Sequence, residues 1–354
     1  MAPARIALVG AGQIGRRHIE AMRGNQGLHV VTAIADPSPA AEAVAREIGV
    51  PFYASEEQLL ARETPDGVII ATPNQHHASV GLACIDRKIP ILVEKPIADS
   101  VSSALKLVDA AERAGVPVLV GHHRRHNPIM QTAAEVIRSG AIGKVIAVAG
   151  LWLSHKPTDY FNITWRREPG GGPVLINAIH DIDCLRMLCG DIDVVQASTA
   201  CAARPNPVED TAAAVLTFAN GALGTLVVSD AVSAPWSWEW TSRENPWYPN
   251  EPENCYLVTG TLGSITVPTL QLRTHETGKQ SWALPLTERR IHYMPADPYV
   301  EQMRNFVGVI RGEAEPIVSG SEGARTLATT LAISESAKTQ QPVRIADYIQ
   351  QSRG

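Results

Sequence analysis

Residues 6–15 read Ile6-Ala7-Leu8-Val9-Gly10-Ala11-Gly12-Gln13-Ile14-Gly15. An apolar run ends in G-x-G-x-x-G, and a helical pattern follows over residues 14–22. A short, wholly apolar run suits a strand buried on both faces of a parallel sheet. Gly10 permits the tight turn, Gly12 lets the backbone approach a pyrophosphate, and Gly15 lets helix pack on strand. The helix N-terminus offers unpaired N–H groups to phosphate. Gln13 and Ile14 lie between the second and third glycines and share that site. The next strand, residues 30–35, ends at Asp36, 36 − 15 = 21 residues past the last glycine. A carboxylate there accepts ribose hydroxyls and repels a 2′-phosphate. The pattern predicts a dinucleotide site that takes NAD. A glycine-rich turn in a cofactor-free fold of the same type is the alternative.

Outward from this unit, strand and helix alternate. Residues 39–48 read as a helix closed by Gly49, 67–71 as a strand and 76–86 as a helix. Segments 91–93, 102–114 and 116–120 continue the pattern. Such βαβ repetition implies a doubly wound parallel sheet with right-handed crossovers. Past Arg125 the texture changes. A helix over 128–139, a strand over 145–153, a long loop over 156–173 and a helix over 174–188 lead into hairpin signals. Strands 211–218 and 222–229 flank Ala219-Asn220-Gly221; strands 255–259 and 264–267 flank a glycine-bounded turn. Helices over 297–310 and 321–338 close the chain. The expected fold is an α/β Rossmann domain over 1–125 and, over 126–354, an α+β domain with a large, mostly antiparallel open sheet.

A length of 354 residues suits two domains. The 45 % hydrophobic and 19 % charged fractions are those of a globular chain. Lys+Arg number 31 against Asp+Glu 36, a net charge of −5, which gives no footprint for nucleic acid or an anionic membrane. The five cysteines form no C-x-x-C pair, which argues against a disulfide framework or zinc and for a reducing compartment. They read as small buried hydrophobes. No charged segment precedes a leader-like apolar run, and no stretch reaches the ~18 apolar residues of a membrane helix. The expected location is the cytoplasm.

Two further stretches carry chemistry. Glu94-Lys95-Pro96 follows the strand at 91–93, where strand ends face the ligand crevice of open α/β sheets. Glu94 and Lys95 are expected beside the cofactor, and Lys95 within reach of a substrate hydroxyl. A solvated surface pair is the alternative. Gly170-Gly171-Gly172-Pro173 precedes a helix bearing Asn177, His180 and Cys184 on one face. A histidine there suits proton transfer at neutral pH, but spacing alone favours a capped, hydrogen-bonded structural histidine. The segment Gly121-His122-His123-Arg124-Arg125-His126 admits a zinc site, a cationic wall with Lys156, Arg166 and Arg167, or ion pairs between domains. No Cys or Glu falls at a complementary spacing, so no metal is expected. Tyr160, Trp165 and the alternating Trp236, Trp238 and Trp240, on one face of an extended segment, suit a sugar-stacking pocket, a core or a subunit contact.

These motifs, GAGQIG with Asp36, Ala71-Thr72-Pro73-Asn74 with His76, Glu94-Lys95-Pro96, Arg124-Arg125 with Asn127-Pro128, and GGG with Ile179-His180-Asp181, resemble the Gfo/Idh/MocA family over nearly the whole chain. The resemblance implies an oxidoreductase in which Lys95 and His180 flank the reacting carbon. It places Thr72, Pro73 and His76 along the cofactor and His123 beside the substrate. Many members carry an aspartate four residues before the histidine; here that position is Ile176, with Asn177 beside it.

The resulting expectation is an NAD(H)-dependent enzyme with catalytic Lys95 and His180. It interconverts a secondary alcohol and a ketone on a sugar, polyol or related small molecule. Tyr160, Arg166, Arg167, Asn177 and His123 are expected to contact substrate. A carboxylated substrate (a hydroxy acid, sugar acid or dihydrodiol) is one alternative, and a non-catalytic NAD-binding sensor another. A homo-oligomer, dimer or tetramer, is expected from the open sheet, whose apolar face needs cover.

Overall fold

The computed structural model describes residues 2–23 and 27–353. Packing divides the chain into two compact units. The first is built on Met1–Asn127 and Ala296–Leu327, the second on Pro128–Pro295 and Ala328–Ser352. The sequence suggests one boundary, between 125 and 126. In the structure the chain also returns to the first unit at Ala296. The reason is apolar: Met303, Phe306 and Val307 are buried in the core beneath the glycine loop's sheet.

The first unit runs β1 (Ala4–Val9), α1 (Gln13–Arg23), β2 (His29–Ala35), α2 (Pro39–Ile48), β3 (Phe52–Tyr53), α3 (Glu56–Arg62), β4 (Gly67–Ile70), α4 (His77–Ile85), β5 (Ile91–Val93), α5 (Val101–Ala114) and β6 (Val118–Val120). Its six strands are all parallel, in the order β3-β2-β1-β4-β5-β6. The order reverses between β1 and β4, the point where doubly wound sheets open a ligand crevice. Ile6, Leu8, Ile69 and Leu92 are buried, which accounts for the unbroken apolar runs. Pro39 opens α2 and Gly49, at φ 74°, closes it in the left-handed conformation that glycine adopts without strain. The sequence reading passed over β3 and α3. The first is two residues long, too short for a periodic signal. The second carries a helix-start signature in Ser55 and Gln58: the Ser55 hydroxyl accepts from the Gln58 amide.

The second unit contains α6 (Pro128–Arg138), β7 (Val145–Leu153), α7 (Ile179–Cys189), β8 (Ile192–Ala200), β9 (Thr211–Phe218), β10 (Leu223–Ser229), α8 (Trp238–Thr241), β11 (Tyr256–Gly260), β12 (Gly263–Val267), β13 (Gln271–Thr274) and β14 (Thr287–Arg290). The chain then forms α9 (Pro298–Ile310) in the first unit, α10 (Gly320–Thr339), β15 (Val343–Arg344) and α11 (Ile345–Gln351). Nine strands order as β14-β13-β12-β11-β7-β10-β9-β8-β15, and only β7 and β10 pair in parallel. One face is core: Val148, Trp152, Leu216, Leu226 and Val258 are buried, and α6 and α7 pack within the same unit. On the other face Val215 and Leu257 stay exposed.

Three details differ from the sequence reading. The loop over 156–173 contains two 3₁₀ turns, Thr158–Asn162 and Thr164–Arg167. The helix expected from 174 begins as a π-helical turn, Val174–Ala178, before α7. Trp236, Trp238 and Trp240 do not line one extended face. Trp238 opens the helical turn α8 and is buried, while Trp236 is exposed. Helical twist replaces the period of two, and Trp240 Nε1 donates to Ser154 Oγ instead.

Candidate active site

The glycine turn of the first unit is set by close backbone approach. A Cβ on Gly10 would lie 2.5 Å from the Ala71 carbonyl and 2.7 Å from the Thr72 nitrogen. A Cβ on Gly15 would lie 2.1 Å from the Gly10 oxygen. On Gly12 it would meet nothing within 4 Å. Turn, packed helix and open space are the three conditions a pyrophosphate cradle needs, so these residues fit a dinucleotide. Gln13 opens α1, and Ile14 is exposed beside it. Asp36 is held against the cradle. Its Oδ2 accepts from the Ala11 amide and its Oδ1 from the Ser38 amide, both at 2.7 Å.

The Ala71–Thr72–Pro73 loop faces Gly10, and the Thr72 hydroxyl is a buried oxygen without a hydrogen-bond partner among the described residues. His76, singled out by the sequence, is exposed at the end of a 3₁₀ turn. The buried histidine is its neighbour His77. Its ring nitrogens lie 2.7 Å from the Pro96 carbonyl oxygen and 2.8 Å from that of Thr72, joining this loop to the Glu94-Lys95-Pro96 segment. Burial draws the His77 pKa below its ordinary value, opposed by the two carbonyls and Glu94. The signal for His77 was present as an inward helix face with Val80, Gly81 and Cys84.

Glu94 and Lys95 follow β5. Glu94 is buried and Lys95 half-buried. Glu94 Oε1 lies 2.8 Å from His18 Nε2, and its Oε2 accepts from the Lys95 amide at 3.1 Å. Burial alone would raise the Glu94 pKa. The His18 hydrogen bond and the neighbouring His18, His123 and Lys95 overcome it and hold the carboxyl below its ordinary value. His123 stacks on Tyr299 with ring centroids 4.6 Å apart, and the Arg17 guanidinium lies 4.8 Å from the same ring. Arg17 also pairs with Asp297, the N-cap of α9. Arg125 pairs with Glu322 at 3.3 Å, a partner in its own unit.

In the second unit the π-helical turn brings Asn177 up to Lys156. Lys156 Nζ donates to Asn177 Oδ1 at 2.8 Å and lies 3.2 Å from Asp230 Oδ2. An ammonium only donates, so this contact fixes the amide: its oxygen faces Lys156 and its NH₂ is left to donate elsewhere. Burial lowers the Lys156 pKa, while Asp230 resists. Arg204 shares Asp230. Tyr160 lies under two cations, Lys156 at 4.8 Å and Arg166 at 3.9 Å from its ring. Arg167 is exposed. Glu209 accepts from the Val174 amide at 3.2 Å, and burial raises its pKa. His180, on α7, is 8 % exposed. Its neighbour Asp181 accepts from the Tyr256 hydroxyl.

The sequence reading named Lys156, Asn177, Tyr160 and Arg166, and the structure gathers these four within one unit. It missed Asp230, Arg204 and Glu209. Their only local mark was polarity at the end of an apolar strand and in the preceding loop. Among the described residues no group of three or more His, Cys, Asp or Glu side chains is placed to hold a metal.

Comparison with known proteins finds matches to both units. Residues 4–122 match the model of an oxidoreductase family, NAD-binding Rossmann fold, and residues 134–345 match that family's C-terminal alpha/beta domain. A 1,5-anhydro-D-fructose reductase of Ensifer adhaerens is 28 % identical, over 96 % of this chain and 98 % of its own length. A myo-inositol 2-dehydrogenase of Thermotoga maritima is 23 % identical over 98 % and 99 %. The structure of the WlbA dehydrogenase from Bordetella pertussis, in complex with NADH and UDP-GlcNAcA, superposes with a TM-score of 0.78 at 25 % identity, covering 97 % of this chain and 98 % of that one.

Asp36 generates a cofactor prediction. NAD is expected to bind more tightly than NADP by about tenfold or more, because a 2′-phosphate would meet the carboxylate. Asp36→Ala is expected to narrow the gap. Titration of both dinucleotides checks this, and equal or tighter NADP binding by the unaltered protein contradicts it.

Proposed function

Since the chain belongs to the Gfo/Idh/MocA family of NAD-binding oxidoreductases, we propose that it interconverts a secondary alcohol and a ketone on a sugar, polyol or close derivative. The observation that carries this reading is Lys95 at the end of β5, against buried Glu94, in the same sheet as the glycine cradle. The substrate class draws on relatives named for anhydrofructose and myo-inositol.

Gly10, Gly12, Gln13, Ile14, Gly15, Asp36, Thr72 and Pro73 would hold the dinucleotide, with Glu94 and Lys95 at its reacting end. His76, exposed, would sit at the margin of that set. When bound, NAD supplies the two-electron hydride chemistry. His180 takes the proton of the substrate hydroxyl in oxidation and returns it in reduction. Lys95 would hydrogen-bond a substrate oxygen and stabilise charge that develops on it. Asn177, its amide fixed by Lys156, donates to a substrate oxygen and orients it; Tyr160, its ring under Lys156 and Arg166, and His123, stacked on Tyr299, would contact substrate by their edges. A second reading, a carboxylated substrate, draws on Arg166, whose buried Nε has no partner among the described residues, with Arg167 nearby in sequence. Such a guanidinium suits a carboxylate. WlbA, solved with UDP-GlcNAcA, supports that reading too.

The exposed Val215 and Leu257 on the open sheet face support a homo-oligomer that covers it. Location in the cytoplasm is supported by five free cysteines. Among the described residues no helix is long and apolar enough to cross a membrane.

Light scattering at micromolar concentration is expected to give a dimer or tetramer; a monomer contradicts the oligomer. Steady-state kinetics on a substrate found from a sugar, polyol and acid panel tests the chemistry. His180→Ala and Lys95→Ala are each expected to lower kcat by ~10²–10⁴ with dinucleotide affinity nearly intact. Asn177→Ala is expected to raise KM more than it lowers kcat. A His180→Ala variant with near-native kcat across pH would assign the proton to another group, His123 or Tyr160.

A further inference from the structure

His18 belongs to the helix that the glycine loop opens, three residues past Gly15, yet its side chain reaches a different motif. It is fully buried, and its Nε2 lies 2.8 Å from Glu94 Oε1, 76 residues away in sequence. Glu94 divides its carboxylate between two donors, His18 on one oxygen and the Lys95 amide on the other. Behind it, Gly121 leaves room for the carboxylate. A Cβ there would lie 2.8–3.0 Å from the Glu94 carboxyl atoms, so glycine at 121 is what admits a carboxylate at this depth. Around His18 the packing is equally closed. Tyr299 presents its ring to the imidazole at 5.6 Å, and that tyrosine is held in turn by Arg17 and His123.

A buried carboxylate without such a donor takes up a proton. With the donor it stays charged. The charge then acts on the adjacent lysine, because an opposite charge nearby favours the ammonium form. The groups that bear on Glu94 are His18 from α1, His123 from the turn after β6, His77 from α4 and Lys95 beside it. Of these, His18 places a side-chain nitrogen 2.8 Å from Glu94 Oε1.

We propose that His18 is a positioning residue for Lys95: it anchors the Glu94 carboxylate and keeps it anionic, and Glu94 in turn fixes the backbone and the charge state of the lysine. The dinucleotide helix and the lysine are thereby joined through two hydrogen bonds that share the buried Glu94 carboxylate. The inference rests on the reading of Lys95 as the group that meets substrate, but its own content is the electrostatic link from α1 to that lysine.

The test reads Lys95 directly and needs no substrate. The seven lysines of the intact protein are reductively methylated with ¹³C-formaldehyde. The Lys95 signal is assigned by its loss in Lys95→Arg, and its titration is followed by NMR. In Glu94→Gln the Lys95 pKa is expected to fall by about half a unit or more, since the stabilising charge is gone. His18→Leu is expected to shift it the same way. His18→Gln, which keeps an N–H donor of similar reach, is expected to restore a titration near that of the unaltered protein. A purely structural role for His18 would lower thermal stability and leave the Lys95 titration where it is. If His18→Leu does not fold, Glu94→Gln, close to the native shape, and the paired His18→Gln measurement decide the matter. An unmoved Lys95 pKa in Glu94→Gln overturns the proposal, as does a His18→Gln protein that titrates like Glu94→Gln. Either result is separate from the kinetic role of Lys95, which the Lys95→Ala turnover measurement reads alone.

Discussion

The close approach of three backbone segments governs the first unit. Gly10, Gly15 and the Ala71–Thr72 peptide occupy space that a single Cβ would invade. Because no side chain intervenes, β1 can turn directly into α1 while the loop after β4 lies against the turn. That contact aims the α1 N-terminus at the opening above Gly12 and fixes where the carboxylate of Asp36 must fold back. It also sets α1 at the depth from which His18 reaches Glu94. Packing, cofactor cradle and lysine environment therefore descend from one steric condition.

Buried charge is managed differently in the two units. In the first, Glu94 is satisfied by a histidine and a backbone amide, and its burial is offset by hydrogen bonding. In the second, Asp230 carries two cations, Lys156 and Arg204. Lys156 spends a further donor on Asn177. Four residues before His180 stands Ile176, and the adjacent Asn177 amide is oriented by a lysine. The polarity presented beside α7 is accordingly that of a donor, which suits an oxygen that accepts.

Legibility from sequence followed the range of the interaction. The glycine turn, Asp36, the Gly49 helix end and the hairpin at Asn220-Gly221 are local, and each was readable from residues a few positions apart. The short strand β3 has no period to detect. His77 and His76 are chemically identical neighbours, and only the inward face of α4 separates them. The Trp236–Trp240 alternation was misleading because a helical turn, set by tertiary packing around buried Trp238, intervened. The partners of Glu94 and Lys156 were out of reach for another reason. His18 and Glu94 are 76 residues apart, and nothing local in either stretch requires the other. The return of α9 to the first unit was hidden likewise, since its apolar face does not say which core it enters.

The central claim is that this chain moves a hydride between NAD and a carbinol carbon of a small polyhydroxylated molecule. Isotope transfer tests it most directly. The protein is incubated with NAD⁺ and a panel of sugars, polyols and sugar acids deuterated at their carbinol carbons, and the dinucleotide is weighed by mass spectrometry. The account predicts that at least one compound yields NADH carrying a single deuterium. Tight NAD binding with no deuterium transferred from any member of the panel would contradict it.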